Sequence, residues 1–152
     1  MRLSVVALGR MKAGPEASLF ADYARRLNPA LGLRELEDRK ASSADERRRR
    51  EAALILDAVP KGARLIAMDG RGTMLSSEDL ARRIARWENE GAPEACFVIG
   101  GADGLDASVV ERADFVYSLG PATWPHMLAR IMLAEQLFRA RSILAGHPYH
   151  RA

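Results

Sequence analysis

The chain has 152 residues, 48% hydrophobic and 28% charged, enough for one domain with its own core and unlike a disordered or fibrous composition. A net charge of +3 permits a polyanionic partner without requiring one, and a single cysteine, Cys96, excludes an internal disulfide framework. No apolar run reaches membrane-spanning length and the first residues lack the layout of a secretory signal, so a cytoplasmic protein is expected.

Residues 3–8 read as a first strand. Residues 9–15 follow as a loop with two positive charges, without the Gly-x-Gly-x-x-Gly spacing of a dinucleotide site. The spacing of Leu19, Phe20, Tyr23 and Leu27 predicts a helix over 16–27. Arg25 and Arg26 suit its carboxyl end, and Asn28-Pro29 breaks it. Residues 31–38 read as a second strand with Leu33 on its buried face. After a loop over 39–43, residues 45–59 read as a helix carrying Arg47, Arg48, Arg49 and Arg50. That run is either a solvated helix face or a patch for nucleic-acid phosphates. Residues 64–68 form strand three, closing on Asp69-Gly70-Arg71-Gly72. Ser76, three residues before Asp79, caps a helix that carries Leu80, Ile84 and Trp87 and stops at Gly91.

Residues 95–99 form a short, continuously apolar run ending in Gly100-Gly101, the pattern of a buried parallel strand. Cys96 lies within it and reads as structural. Gly100, Gly101 and Gly104 allow a ligand to lie directly on the backbone. A short helix over 107–113 leads to a second apolar strand, 115–119, which ends at Gly120 and a loop to His126. Two neighbouring strands ending in small-residue loops build a crevice where open α/β sheets bind ligands. Residues 127–144 form a last helix with apolar side chains on more than one stripe. Such a helix is buried on more than one side, most simply against a partner subunit. Alternating strands and helices predict an α/β fold, a parallel sheet with helices on both faces, in a single domain over 1–152.

Several stretches, in this order and spacing, resemble the ribosomal large-subunit pseudouridine methyltransferase H family, a small branch of the SPOUT class of knotted methyltransferases. They are Ile99-Gly100-Gly101-Ala102-Asp103-Gly104-Leu105, Thr123-Trp124-Pro125-His126, Arg130, Glu135-Gln136-Leu137-Phe138-Arg139 and Pro148-Tyr149-His150-Arg151. Residues 68–72 and 76–78 fit the same layout, so the resemblance spans the whole chain. It implies a carboxyl-terminal trefoil knot and a homodimer packed through the last helix. It implies S-adenosylmethionine as cofactor, and N3 methylation of a pseudouridine, position 1915 of 23S ribosomal RNA, on the assembled ribosome. The implied cofactor contacts are Met68, Gly101, Gly120, Pro121, Ala122, Thr123, Trp124 and Pro125. Two residues depart from the family pattern: Ala102 replaces a proline of some relatives, and Trp124 a more usual leucine or phenylalanine. Rival readings are a transfer-RNA methyltransferase of the same fold and a non-catalytic ribosome-binding module.

The implied acceptor is an imide nitrogen that largely keeps its proton at neutral pH, so a group must remove that proton or stabilise the anion. His150 is the leading candidate, with Tyr149 stacking on the base and Arg151 holding a phosphate or a developing oxyanion. His126 either orients the last helix or joins this chemistry. Glu135 and Arg139, four residues apart, read as an intrahelical ion pair. His147 and His150 lack further ligands at metal-binding spacing, so no metal is expected.

Overall fold

In the computed structural model, which describes residues 1–40 and 42–150, the two most apolar stretches lie side by side at the centre of one sheet. They are β1 (Arg2–Leu8) and β4 (Glu94–Ile99), and almost every side chain in them is buried. Adding β2 (Gly32–Leu36), β3 (Arg64–Met74) and β5 (Phe115–Ser118) gives five strands in the order β2-β1-β4-β3-β5, every pair parallel. Parallel strands need crossovers, and the crossover helices cover both faces. Helices α1 (Pro15–Arg26), α3 (Ser77–Asn89) and α5 (His126–Ala145) bury Phe20, Ile84, Trp87, Leu133 and Leu137 on one face. Helices α2 (Ala44–Ala58) and α4 (Ala107–Arg112) bury Ala52, Ile55 and Val109 on the other.

Local chemistry sets the helix ends. Pro15 opens α1, where its missing N–H costs nothing. Ser43 and Ser76 accept hydrogen bonds from the N–H of Glu46 at 3.2 Å and of Asp79 at 3.0 Å, each such cap contributing about 1 kcal/mol. Gly146 ends α5 in the left-handed region at φ 70°, and the N–H of His147 reaches back to the Ser142 carbonyl at 2.8 Å.

The structure corrects two expectations. Leu33 is exposed: β2 is an edge strand, and Leu31 and Leu36 turn inward instead. Strand three does not close at Met68. It continues to Met74 through a bulge, with both Met68 and Thr73 opposite Tyr117, so residues 69–72 swell out at the sheet's carboxyl edge. Gly72 permits this, because a Cβ there would lie 2.5 Å from the Val116 carbonyl oxygen. Much of α5's burial is intramolecular. The helix packs on α1, α3 and a closing 3₁₀ turn, Pro148–His150, leaving Leu128 and Leu144 among its exposed apolar side chains.

Candidate functional site

A cleft of about 490 Å³ opens at the carboxyl ends of β3, β4 and β5. Met68, Gly101, Gly120, Pro121, Ala122, Thr123 and Trp124 all line it. Pro125 does not; it stands at the N-cap position of α5. The walls are mostly backbone and apolar side chains, among them Ile99, Leu105 and Leu119. Trp124 is 44% exposed, so part of its surface is open to a ligand.

Glycine suits three points of this cradle, and at Gly100 a side chain would meet backbone. A Cβ on Gly100 would fall 2.7 Å from the carbonyl of Gly104, and one on Gly101 would fall 2.9 Å from Glu51 Oε2. Gly120 sits at φ +109°, where L side chains are strained, with open space where its Cβ would point. Ser118 ties two loops together: its hydroxyl donates to the Gly70 carbonyl at 3.2 Å and accepts the Gly120 N–H at 3.0 Å.

Behind Gly101 lies a group that sequence reasoning missed. Glu51, from α2, is buried, and its Oε1 has no hydrogen-bond partner among the described residues. Burial first, and the nearby Asp103 carboxylate second, push its carboxyl above the ordinary range. Asp103 is paired at 2.8 Å with Arg47. Two more of the four consecutive arginines are engaged within the chain: Arg50 meets Asp38 at 2.6 Å, and Arg48 pairs with Asp45. Arg47 and Arg50 therefore brace loops, so the run is not a simple solvated face.

At the start of α5, Arg130 is fully buried. Its Nε donates to His126 Nε2 at 2.9 Å, and its terminal nitrogens reach Glu35 at 2.5 Å and the carbonyls of Gly9 at 2.7 Å and Leu8 at 3.3 Å. Glu35 also accepts the Met11 N–H at 2.7 Å. Burial opposes ionisation of Glu35, but the hydrogen bonds from Arg130 and Met11 outweigh it and hold the carboxyl below its usual range. His126 lines the cleft; burial and then the Arg130 charge pull its pKa below the ordinary value, with Glu35 opposing.

The tail is docked elsewhere. Tyr149 lies edge-on to Phe138, ring centroids 4.5 Å apart, with the guanidinium of Arg139 4.9 Å from its ring. Its hydroxyl donates to Glu135 Oε1 at 3.0 Å, an oxygen that also takes both bonds of the Glu135–Arg139 ion pair. His150 Nδ1 meets the carbonyl of His147, so Nδ1 is the donor and Nε2 is left as an acceptor. Neither Tyr149 nor His150 lines the cleft, and Glu135 stands about 13 Å along α5 from His126 at ~1.5 Å per residue. Arg151 lies outside the described residues. No group of three or more His, Cys, Asp or Glu side chains stands together among the described residues, and no described helix is long and apolar enough to cross a membrane.

A family model described as "Predicted SPOUT methyltransferase" matches residues 1–150. The chain is 54% identical over 152 residues to the ribosomal RNA large subunit methyltransferase H of Rhodospirillum centenum, covering all of both chains. It is 49% identical over 151 residues to the protein of the same name from Paramagnetospirillum magneticum, covering 99% of each. Among solved structures, it resembles a probable methylase family protein from Haemophilus influenzae, with a TM-score of 0.56 and 11% identity over 99% of this chain and 70% of that one. It also resembles the SpoU methyltransferase AviRb from Streptomyces viridochromogenes in complex with AdoMet, with a TM-score of 0.50, 14% identity and 92% of this chain covered. This chain spans only 58% of AviRb's length. At such identities the two structures establish the fold alone.

Proposed function

The chain belongs to the SPOUT methyltransferase family, and on that premise we propose that it methylates N3 of a pseudouridine in large-subunit ribosomal RNA, with S-adenosylmethionine as cofactor. The observation that carries the cofactor assignment is the glycine cradle. A side chain at Gly100 would collide with the Gly104 backbone, one at Gly101 would press on the Glu51 carboxylate, and Met68, Leu119 and Trp124 offer an apolar slot beside exposed backbone groups. When bound, S-adenosylmethionine supplies an electrophilic methyl group. Cradle backbone and apolar walls orient that group and exclude water, and positioning of this kind is worth roughly 7–11 kcal/mol.

The acceptor side is assigned to the tail. His150 takes the N3 proton on Nε2; Tyr149 stacks on the base; Arg151 holds a phosphate or the developing oxyanion. The protein works as a homodimer on the ribosome in the cytoplasm, its carboxyl-terminal segment threaded through the knot. A second hollow of about 560 Å³ beside α5 supports the dimer: Leu19, Met74 and Met132 line it, and Leu19 and Met74 are exposed. A tail docked more than two turns up α5 lies far from its own cleft, which favours its serving the partner's.

Deleting residues 149–152 tests the assignment. Cofactor binding by calorimetry and the dimer by light scattering should be nearly unchanged. Single-turnover methyl transfer to ribosomes should fall by about 10²–10⁴ or more. Near-normal turnover would end the role of the tail; no cofactor binding by the full chain would end the enzyme reading altogether.

A further inference from the structure

His126 stands at the joint between two hollows. It lines the cofactor cleft and also a groove of about 440 Å³ that runs from Leu8 and Leu36 past Arg47 and Glu51 to Gly101. The two hollows share Gly101 and Ala102 as well as this ring.

The ring's protonation follows from its neighbour. A guanidinium has donors and no acceptor, so the His126 Nε2 that faces Arg130 Nε at 2.9 Å carries no proton. The neutral ring therefore carries its proton on Nδ1. Arg130 cannot turn away, because it is fully buried and its remaining bonds reach Glu35, Leu8 and Gly9. Among the described residues Nδ1 has no hydrogen-bond partner, and it is not sealed from solvent. Among the described residues two charges act on the ring: Arg130 from α5 disfavours a second proton, and Glu35 from β2 partly offsets it.

We infer that Arg130 fixes His126 as a neutral Nδ1–H donor to a carbonyl oxygen of the acceptor base, where it stabilises the imide anion. This rests on the proposed methyl transfer to RNA. An imide nitrogen lies between two carbonyls, so when N3 loses its proton the negative charge spreads onto those oxygens. The proton leaves to His150 Nε2, the N3–methyl bond forms, the sulfonium–methyl bond breaks, and the sulfur departs as a neutral thioether. His126 neither gains nor loses a proton. It cannot serve as the base, because its only lone pair is committed to Arg130. His126 is thus the residue that touches substrate, and Arg130 is a positioning residue acting through it.

The test compares wild type, His126→Ala and His126→Asn in single-turnover methyl transfer to ribosomes at saturating cofactor, with cofactor affinity measured separately. His126→Ala should lower the rate by about 10²–10³, the usual loss for one oxyanion donor, while cofactor affinity changes only a few-fold. His126→Asn, which places an amide N–H near the position of Nδ1, should regain most of that loss. Nitrogen-15 spectra of the imidazoles provide a readout that a merely structural role would not move. The chain has three histidines, and the signals missing from His126→Asn should show a protonated Nδ1 and a bare Nε2 through neutral pH. In Arg130→Gln that ring should titrate at a higher pH; if this variant fails to fold, the His126 pair and the spectra still decide. A full rate in His126→Ala, a loss confined to cofactor affinity, or a proton on Nε2 would overturn the inference. An inactive wild type would remove the methyl-transfer reading and the inference with it.

Discussion

At the start of α5, Arg130 makes four hydrogen bonds in complete burial; at its middle, Tyr149 holds the tail with one hydrogen bond to the helix and the edges of a few rings. The first arrangement links β1, β2 and the loop after β1 to the cleft, so the geometry around His126 is part of the fold. The second lies largely at the surface, where each contact contributes about 1 kcal/mol or less after solvent competition. Preorganised groups cost no rearrangement at the moment of reaction. The cofactor end is built that way. The proposed acceptor side, by contrast, is held by a few contacts near the surface.

The harshest way to break this contrast is Arg130→Met. It leaves two backbone carbonyls without the Arg130 donor and Glu35 with only the Met11 N–H, and removing one partner of a buried pair costs about 3–5 kcal/mol. Urea unfolding should show a loss of that size; a loss under about 1 kcal/mol would mean the network is no more essential than the tail. Next comes Gly100→Ala. Its Cβ would stand 2.7 Å from the backbone of Gly104, so the cofactor loop must shift. Cofactor affinity should fall about tenfold or more, equivalent to ~1.4 kcal/mol, with secondary structure intact. Unchanged calorimetric affinity would remove the loop from the cofactor's grip.

Glu51 sharpens the contrast through pH. The folded chain holds its proton more tightly than the unfolded chain, so the stability linked to this group is complete below the ordinary value of 4.5. It is lost as pH rises through the raised folded value. Glu51→Gln has no such loss. Relative to wild type the variant should gain stability as pH rises from 4.5 toward neutrality, by about 1 kcal/mol, as expected for an unpartnered buried oxygen. Parallel stability–pH curves for the two proteins would show that Glu51 is ionised and satisfied in the folded chain.

How legible these features were depended on how local their causes are. The run over 95–99 is apolar throughout because β4 is buried on both faces, and its sequence alone shows it. The Ser76 cap and the Glu135–Arg139 pair involve neighbours three and four residues apart, and both were readable. Leu33 was not. An edge strand carries no strong alternation, and which of its side chains turns inward depends on what covers it. Glu51 hides among the charges of α2, because its burial comes from a loop fifty residues away in sequence. Arg130 was visible only as a family residue: its partners at Leu8, Gly9 and Glu35 lie more than ninety positions earlier. The resemblance pointed to both the tail and the cleft, but only the fold shows that a single chain keeps them apart.

The smallest expected effect belongs to Tyr149→Phe. This change removes the bond to Glu135 and keeps the ring against Phe138 and Arg139. Glu135 still has both bonds from Arg139, so no buried charge is stranded. Global stability should therefore change by less than about 1 kcal/mol. The local consequence should be larger than the global one: amide exchange in residues 148–150 should quicken, while exchange in the first turn of α5 stays slow. Base stacking needs the ring and not the hydroxyl, so methyl transfer should survive far better than in the deletion of 149–152. Should Tyr149→Phe instead destabilise the whole protein as much as Arg130→Met, the tail would be a structural element of the fold, and the division between a fixed cofactor end and a movable acceptor end would fail.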